Sequence, residues 1–504
     1  MKILFYNWVD YLDDEKRGGG VSVYLRNLMT ALGSRKQVQP VFLSSGISYD
    51  LVARKPRWEQ VRHGSKENSE NRYEIVNSGV LSPSHHSFGN PAQLTHAPTR
   101  DAFFDFVKKT GPYDVIHFHN LEGLPADVLE IKARFPDTKV ILSLHNYYPV
   151  CPQVNLWHQE KRACSDFKGG AKCGSCLIHK HDERLIRAAN AVAYRLKRAG
   201  IRPGMRSFDL LFHQLFRVAH RTGRLVGRLQ RSLRQTPALT PARASGFAER
   251  RQGFINQINT HCDLVLGVSD RVCEIARSYG VRPEILHTSY IGTKQAEAFV
   301  ETKPAASLPK SKTALTLGFL GYMRRDKGFF FLLDALEALP PELAGQVRLV
   351  VAARRGEGEA MRRLELLKVR LGGVAHLDGY SHDGLDDLLR DVDVGLIPVL
   401  WEDNLPQVAI EMHARHIPLL TSDMGGAREL AGCPDMVFVA GDTDSFADRI
   451  RALLAGEVDM DRYWQNAHAP QTMTGHLGEL KRLYSGENTP RLQAEAPAVK
   501  AAAL

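Results

Sequence analysis

Short apolar runs alternate along this chain with stretches in which apolar residues recur every three or four positions. Ile3-Leu4-Phe5-Tyr6 reads as a buried strand. Gly18-Gly19-Gly20 follows, and then Val21, Tyr24, Leu25, Leu28, Met29 and Leu32 trace one face of a helix. Strand, Gly-rich turn and helix make the opening unit of a doubly wound sheet. Val115–Phe118 and Val140–Leu144 are further strands, separated by a helical stretch from Leu124 to Phe135, a spacing that calls for parallel pairing. Residues 45–100 are polar and weakly periodic and read as long loops around one or two strands. Strands follow at Leu264–Val268 and Thr316–Leu320, then at Val347–Ala352, Val374–Leu377, Val394–Pro398, Pro418–Thr421 and Met436–Val439.

Two βα series joined near residues 295–313 predict an α/β protein of two doubly wound, Rossmann-like domains facing across a cleft, with ligand at the carboxyl ends of the strands. The N-terminal domain is expected over 1–294 and the C-terminal domain over 295–470. A helix over 471–488 is expected to return to the first domain, and the tail 489–504, rich in Ala, Pro and Lys, reads as disordered.

Composition narrows the class. The chain has 504 residues, 43% hydrophobic and 24% charged, which is ordinary globular usage. No apolar run approaches the roughly 18 residues of a membrane-spanning helix. The first apolar stretch turns polar by Asp10 and is too short for a signal peptide, so a cytoplasmic protein with reduced cysteines is expected. The net charge is +10, but residues 180–251 alone carry +13, so the rest of the chain sums to −3. Within this basic insertion (180–255), Arg217, Arg221, Arg224, Arg228 and Arg231 share one helical stripe, with Leu211, Leu215, Val218, Leu225, Val226, Leu229 and Leu233 on the other side. A helix over 204–236 would either pack on its own domain or lie on an anionic membrane surface, at the inner face of the membrane. The stripe has no interleaved aromatics, which argues against nucleic acid.

Three turns at successive strand ends of the second series carry candidate chemistry. Arg324, Arg325 and Lys327 crowd the turn before a helix, an arrangement suited to a diphosphate. Asp403 and Glu411 flank Asn404-Leu405-Pro406-Gln407, and a carboxylate at each end of such a segment can accept hydrogen bonds from sugar hydroxyls. Gly425-Gly426 allows close backbone approach to an anion. A solvated basic turn and acidic helix caps are the plain alternatives.

With these residues the chain resembles the retaining nucleotide-sugar glycosyltransferases of family 4, which have the GT-B fold. The resemblance runs over nearly the whole chain and is most specific in Lys327-Gly328 and the two acids followed by the glycine pair. It implies that Lys327 holds the donor pyrophosphate, Glu411 the ribose and Asp403 the transferred sugar. Asn404 to Gln407 and Gly425 would line sugar and phosphates, with Gly19 and Gly20 bordering the phosphates from the other domain. His145, at a strand end, would contact sugar and phosphate. The donor would be a UDP- or GDP-sugar and the acceptor a saccharide or lipid-linked molecule, with no metal needed for the chemistry. The chain departs from the family in two places: Asp403 stands where Glu is usual, and Tyr322 where Arg is usual.

Cys151, Cys164, Cys173 and Cys176, in a Cys-rich loop over 150–178, end in a C-x2-C pair. Four thiolates so spaced suit a structural zinc; an iron–sulfur cluster and free thiols are the alternatives. A subset of the same family looks similar here. His117 and His119 read as packing residues. A nucleotide-sugar epimerase of the same architecture and a non-catalytic membrane- or partner-binding protein are the other functional readings.

Overall fold

A computed structural model describes residues 1–486 except 14, 16, 34, 36, 178–181, 202, 204, 209–240 and 311–313. The arginine stripe from residue 209 onward and the tail 489–504 lie outside the described residues.

The first lobe is built on β1 (Lys2–Tyr6), β2 (Gln39–Ser48), β3 (Arg57–Gln60), β4 (Arg72–Val76), β5 (Val115–Phe118), β6 (Lys139–Leu144), β9 (Leu264–Gly267) and β10 (Leu286–Thr288). They form one sheet in the order β10-β9-β6-β5-β1-β2-β4-β3, parallel except for β3 against β4. A small hairpin of β7 (Trp157–His158) and β8 (Arg162–Ala163) lies in the loop after β6. The second lobe carries β11 (Leu315–Tyr322), β12 (Val347–Arg354), β13 (Gly373–Asp378), β14 (Val394–Ile397), β15 (Leu419–Ser422) and β16 (Val437–Phe438), all parallel in the order β13-β12-β11-β14-β15-β16. Each sheet reverses its strand order once, at β5/β1 and at β11/β14, and loops diverge there to leave a crevice.

Residues 45–100, expected to be long loops around one or two strands, hold β3 and β4 besides the end of β2; Trp58 pairs in register with Ile75 and its ring meets Tyr73 edge-on. One local reading changes. The stretch after β5 is a 3-10 turn, Ala126–Glu130, and one helical turn, Ile131–Arg134, since Pro125 and Pro136 confine it.

The buried strands read as continuous apolar runs because helices cover both faces. One apolar cluster runs from the first sheet through Leu144 and Ile291 into Leu320, Ile397, Leu405 and Ile410 of the second lobe, so the lobes share a core beneath the crevice. The helix Met473–Ser485 packs Leu477, Leu480, Leu483 and Tyr484 into that cluster against the first lobe. Tyr484 Oη lies 2.7 Å from His117 Nδ1, and Lys139 Nζ donates to the Leu483 carbonyl at 3.0 Å.

Candidate functional site

The strand-to-helix turn after β11 is shaped by Gly328, which precedes the helix Phe329–Ala338 at φ +71°. A Cβ there would lie 1.6 Å from the Pro398 carbonyl oxygen, so only glycine lets this turn rest on the end of β14. That contact carries Lys327 to Asp403: Nζ donates to Oδ2 at 2.7 Å. Burial alone would pull the Lys327 ammonium down, but the Asp403 carboxylate outweighs it and holds the pKa above the ordinary lysine value. Lys327 Nζ also stands 5.7 Å from the Trp401 ring. Of Arg324 and Arg325, expected beside it, Arg324 is near enough for its charge to oppose that of Lys327. Arg324 bonds Asp326 at 2.8 Å from an exposed position, and Arg325 stacks 4.8 Å over Phe330.

Asp403 and the glycine pair interlock. Gly426 N–H donates to the Asp403 carbonyl at 3.0 Å, and a Cβ on Gly425 (φ +72°) would sit 2.2 Å from that carbonyl. Gly425 N–H donates to Glu402 Oε2 at 3.0 Å. Both glycine amides are thus engaged inside the protein. What the pair provides is close approach of the β15 turn to the 402–404 loop.

Pro406 ends that loop and starts the helix Gln407–His413. Gln407 Nε2 crosses the crevice to the carbonyl of Gly20 at 2.9 Å, and Asn404 Nδ2 reaches the Leu144 carbonyl at 3.4 Å. Leu405 is buried in the shared core. Gly19 and Gly20 open the helix Gly19–Gly33, so the first lobe's Gly-rich turn meets the loop carrying Asp403. Glu411, 4% exposed, accepts from Tyr380 Oη at 3.0 Å and pairs with His382 Nε2 at 3.0 Å. The Glu411 bond holds the His382 pKa above its ordinary value.

His145, just past β6, lies with Nε2 3.1 Å from His119 Nδ1, and its ring packs 5.2 Å from Tyr24. Tyr24 Oη in turn lies 2.8 Å from His476 Nε2 on the helix Met473–Ser485. Burial drives the His145 pKa down to about 3, so its imidazole is neutral. His117 and His119 are fully buried and likewise pushed far down by burial.

Residues 314–456, which span β11 to β16 and include Lys327, Asp403, Glu411 and Gly425, match the family described as "Glycosyl transferases group 1". No curated protein matches the chain in sequence. Among solved structures, HepE from Anabaena in complex with UDP superposes with a TM-score of 0.54 at 15% identity, over 96% of this chain and 100% of that one. Sucrose-phosphate synthase from Thermosynechococcus elongatus gives 0.53 at 14% identity over 96% and 98%. The lipopolysaccharide outer core galactosyltransferase WaaB in its apo form gives 0.54 at 12% over 96% and 100%.

The fold is GT-B. Lys327, Asp403, Asn404, Gln407 and Glu411 lie on the C-terminal side of the crevice between the lobes, with Gly20 and Leu144, next to His145, meeting Gln407 and Asn404 from the other. Four contributors escaped the sequence reading: Tyr380 and His382 beside Glu411, and Tyr24 and His476 beside the His119–His145 pair. None sits in a motif, and His476 is 331 positions from His145.

Cys151, Cys164, Cys173 and Cys176 line one cavity of about 10 Å³ together with Trp157, Lys172 and Arg251. Burial raises the thiol pKa of Cys173 to about 12 and of Cys176 to about 11, and Cys176 Sγ donates to Gln153 Oε1 at 2.7 Å. The donor set has the chemistry for zinc, but among the described residues no group of three or more His, Cys, Asp or Glu side chains stands in metal-holding geometry. Also among the described residues, no helix is long and apolar enough to cross a membrane.

Proposed function

We propose that the protein is a retaining glycosyltransferase that moves a sugar from a UDP- or GDP-sugar to a saccharide or lipid-linked acceptor. The observation that carries this reading is the Lys327–Asp403 pair, 2.7 Å long, at the strand ends of the second lobe. Glu411, on the helix that follows the same loop, supports it. A diphosphate entering the crevice draws Lys327 Nζ from Asp403, because two phosphates outweigh one carboxylate for the same ammonium. Asp403, released, accepts from the hydroxyls of the sugar. Glu411, fixed by Tyr380 and His382, accepts from the ribose hydroxyls. HepE, similar in fold and in complex with UDP, supports a nucleotide donor for this reading.

In this mechanism the bond between the sugar's anomeric carbon and the phosphate oxygen breaks as the acceptor oxygen attacks the same face. The acceptor proton passes to the departing phosphate. The protein orients the reactants and stabilises charge. His145, neutral, offers a hydrogen bond to the sugar without adding charge. Contact with an anionic membrane through 204–236 is part of the same proposal and would bring lipid-linked acceptors to the first lobe.

A thermal-shift panel of UDP-, GDP- and ADP-sugars tests the reading. Stabilisation by one nucleotide series, lost in Lys327→Ala and in Glu411→Ala, is the expected result. Indifference of the wild-type protein to all three would sink it.

A further inference from the structure

Glu402 lies one residue before Asp403 and points away from Lys327, toward the first lobe. Its carboxylate receives a two-pronged bond from Arg271: Nε to Oε2 at 3.0 Å and Nη2 to Oε1 at 2.5 Å. Arg271 stands in the first turn of the helix Asp270–Ser278, which follows β9. The same turn is gripped a second time. Glu429 accepts the backbone N–H of Asp270 at 2.9 Å and of Arg271 at 2.7 Å, while Tyr290 Oη donates to it at 2.9 Å. Two carboxylates of the C-terminal lobe therefore hold one helix start of the N-terminal lobe, one by its side chain and one by its amides.

We infer that Arg271 and Glu402 are positioning residues: their ion pair clasps the lobes together and sets the loop that presents Asp403 to the donor. The inference rests on the glycosyl-transfer reading for its catalytic consequence, not for its geometry. Glu402 Oε2 is shared between Arg271 and the Gly425 amide, so one carboxylate ties the first lobe, the Asp403 loop and the glycine turn at a single point. Asp403, the next residue, is fixed from the other side by Lys327. Glu402 is only 11% exposed at its side chain, so the forked pair is screened less than a surface pair. Without Arg271 that carboxylate is left half-satisfied at the lobe boundary, and the loop has a reason to move. The donor's phosphate and ribose partners, Lys327 and Glu411, both lie within the second lobe. The clasp therefore bears on alignment of the donor with the first lobe more than on donor binding.

The test uses the full chain with Arg271→Gln, Arg271→Lys, Glu402→Gln and the double variant Arg271→Gln/Glu402→Gln. For each, kcat and KM, UDP affinity by calorimetry and small-angle scattering are measured. We expect kcat to fall about tenfold or more in either single Gln variant with UDP affinity within about threefold of wild type. Arg271→Lys should recover part of the loss through one remaining bond, and the double variant should be no worse than either single one. Scattering, which needs no donor, should show a larger radius of gyration in Arg271→Gln. Unchanged kcat in Arg271→Gln, multiplied losses in the double variant, or UDP affinity falling in step with kcat would overturn the inference. If wild-type protein neither binds nor turns over a nucleotide sugar, the donor reading fails by itself and scattering alone decides the clasp. An unchanged radius in Arg271→Gln would then overturn it.

Discussion

Lys327 and Asp403 hold each other at 2.7 Å in the free protein, so the cation proposed for phosphate and the carboxylate proposed for sugar begin as each other's partner. Substitutions of the two should therefore separate. Lys327→Met is expected to weaken UDP by about tenfold or more, since a charge-assisted bond to phosphate is lost. Asp403→Asn frees the lysine and should leave UDP affinity unchanged or improved while sugar transfer falls by about 100-fold. Calorimetry with UDP and a transfer assay check both.

Glu411 is fixed by Tyr380 and His382. Glu411→Gln should cost UDP affinity about tenfold, and an analogue lacking both ribose hydroxyls should bind variant and wild type alike. The His382 pKa, held up first of all by its bond to Glu411, should drop toward its ordinary value in the variant, as read by NMR titration.

Gly328→Ala asks for a methyl group 1.6 Å from the Pro398 carbonyl oxygen at a left-handed φ. Backbone must shift at the floor of the site. We expect a loss of stability of about 3 kcal/mol or more, measured by chemical denaturation, with UDP-induced stabilisation lost at the same time.

Burial raises the Glu429 carboxyl to about 7 in the folded protein, against the ordinary glutamate value of about 4.5 when unfolded. Asp270, Arg271, Tyr290 and Tyr147 face it from the first lobe, and Glu402 stands nearby. A raised acid stabilises fully below its unfolded pKa, and that contribution is lost as pH rises through the folded pKa. The melting temperature of wild type relative to Glu429→Gln should therefore decline between about pH 4.5 and 7 and then level off. An opposite slope would mean that the amides of Asp270 and Arg271 favour the charged form more than burial opposes it.

The buried histidines impose the reverse trend. Burial holds His145 down at about 3 and His413 at about 4, and both are neutral when folded. Folding excludes protons they would take up in the unfolded chain below about pH 6.5. Stability of a variant in which Glu429 is Gln should then fall as pH drops from 6.5 toward 4, measured by thermal melts across that window.

Much of the fold was legible because parallel strands buried on both faces leave uninterrupted apolar runs, as at Ile3–Tyr6 and Val394–Ile397. The positions of β3 and β4 were not, because β3 is a half-buried edge of four residues and β4 buries Arg72 and Glu74 among its apolar residues. Lys327, Asp403 and Glu411 stood out because they sit on turns and a helix start of the C-terminal sheet. Arg271, Glu402 and Glu429 did not. Their meaning lies in a meeting of two lobes, and Arg271 and Glu402 are 131 positions apart. For a related reason the partners of Arg324 and Arg325, Asp326 and Phe330, were not legible: sequence places a cation on a turn but does not say which way it points.

The helix Met473–Ser485 supplies Tyr484 and His476 to the first lobe although the ribosome makes it after the strands of the second. Until that segment emerges, His117 and Tyr24 lack their partners, and the face beside β5 that Leu480 and Leu483 cover stays wet. Nascent chains consequently carry an unfinished first lobe through the whole synthesis of the second. A stop codon just ahead of this helix would strike the lobe whose strands had already been made before those of the second.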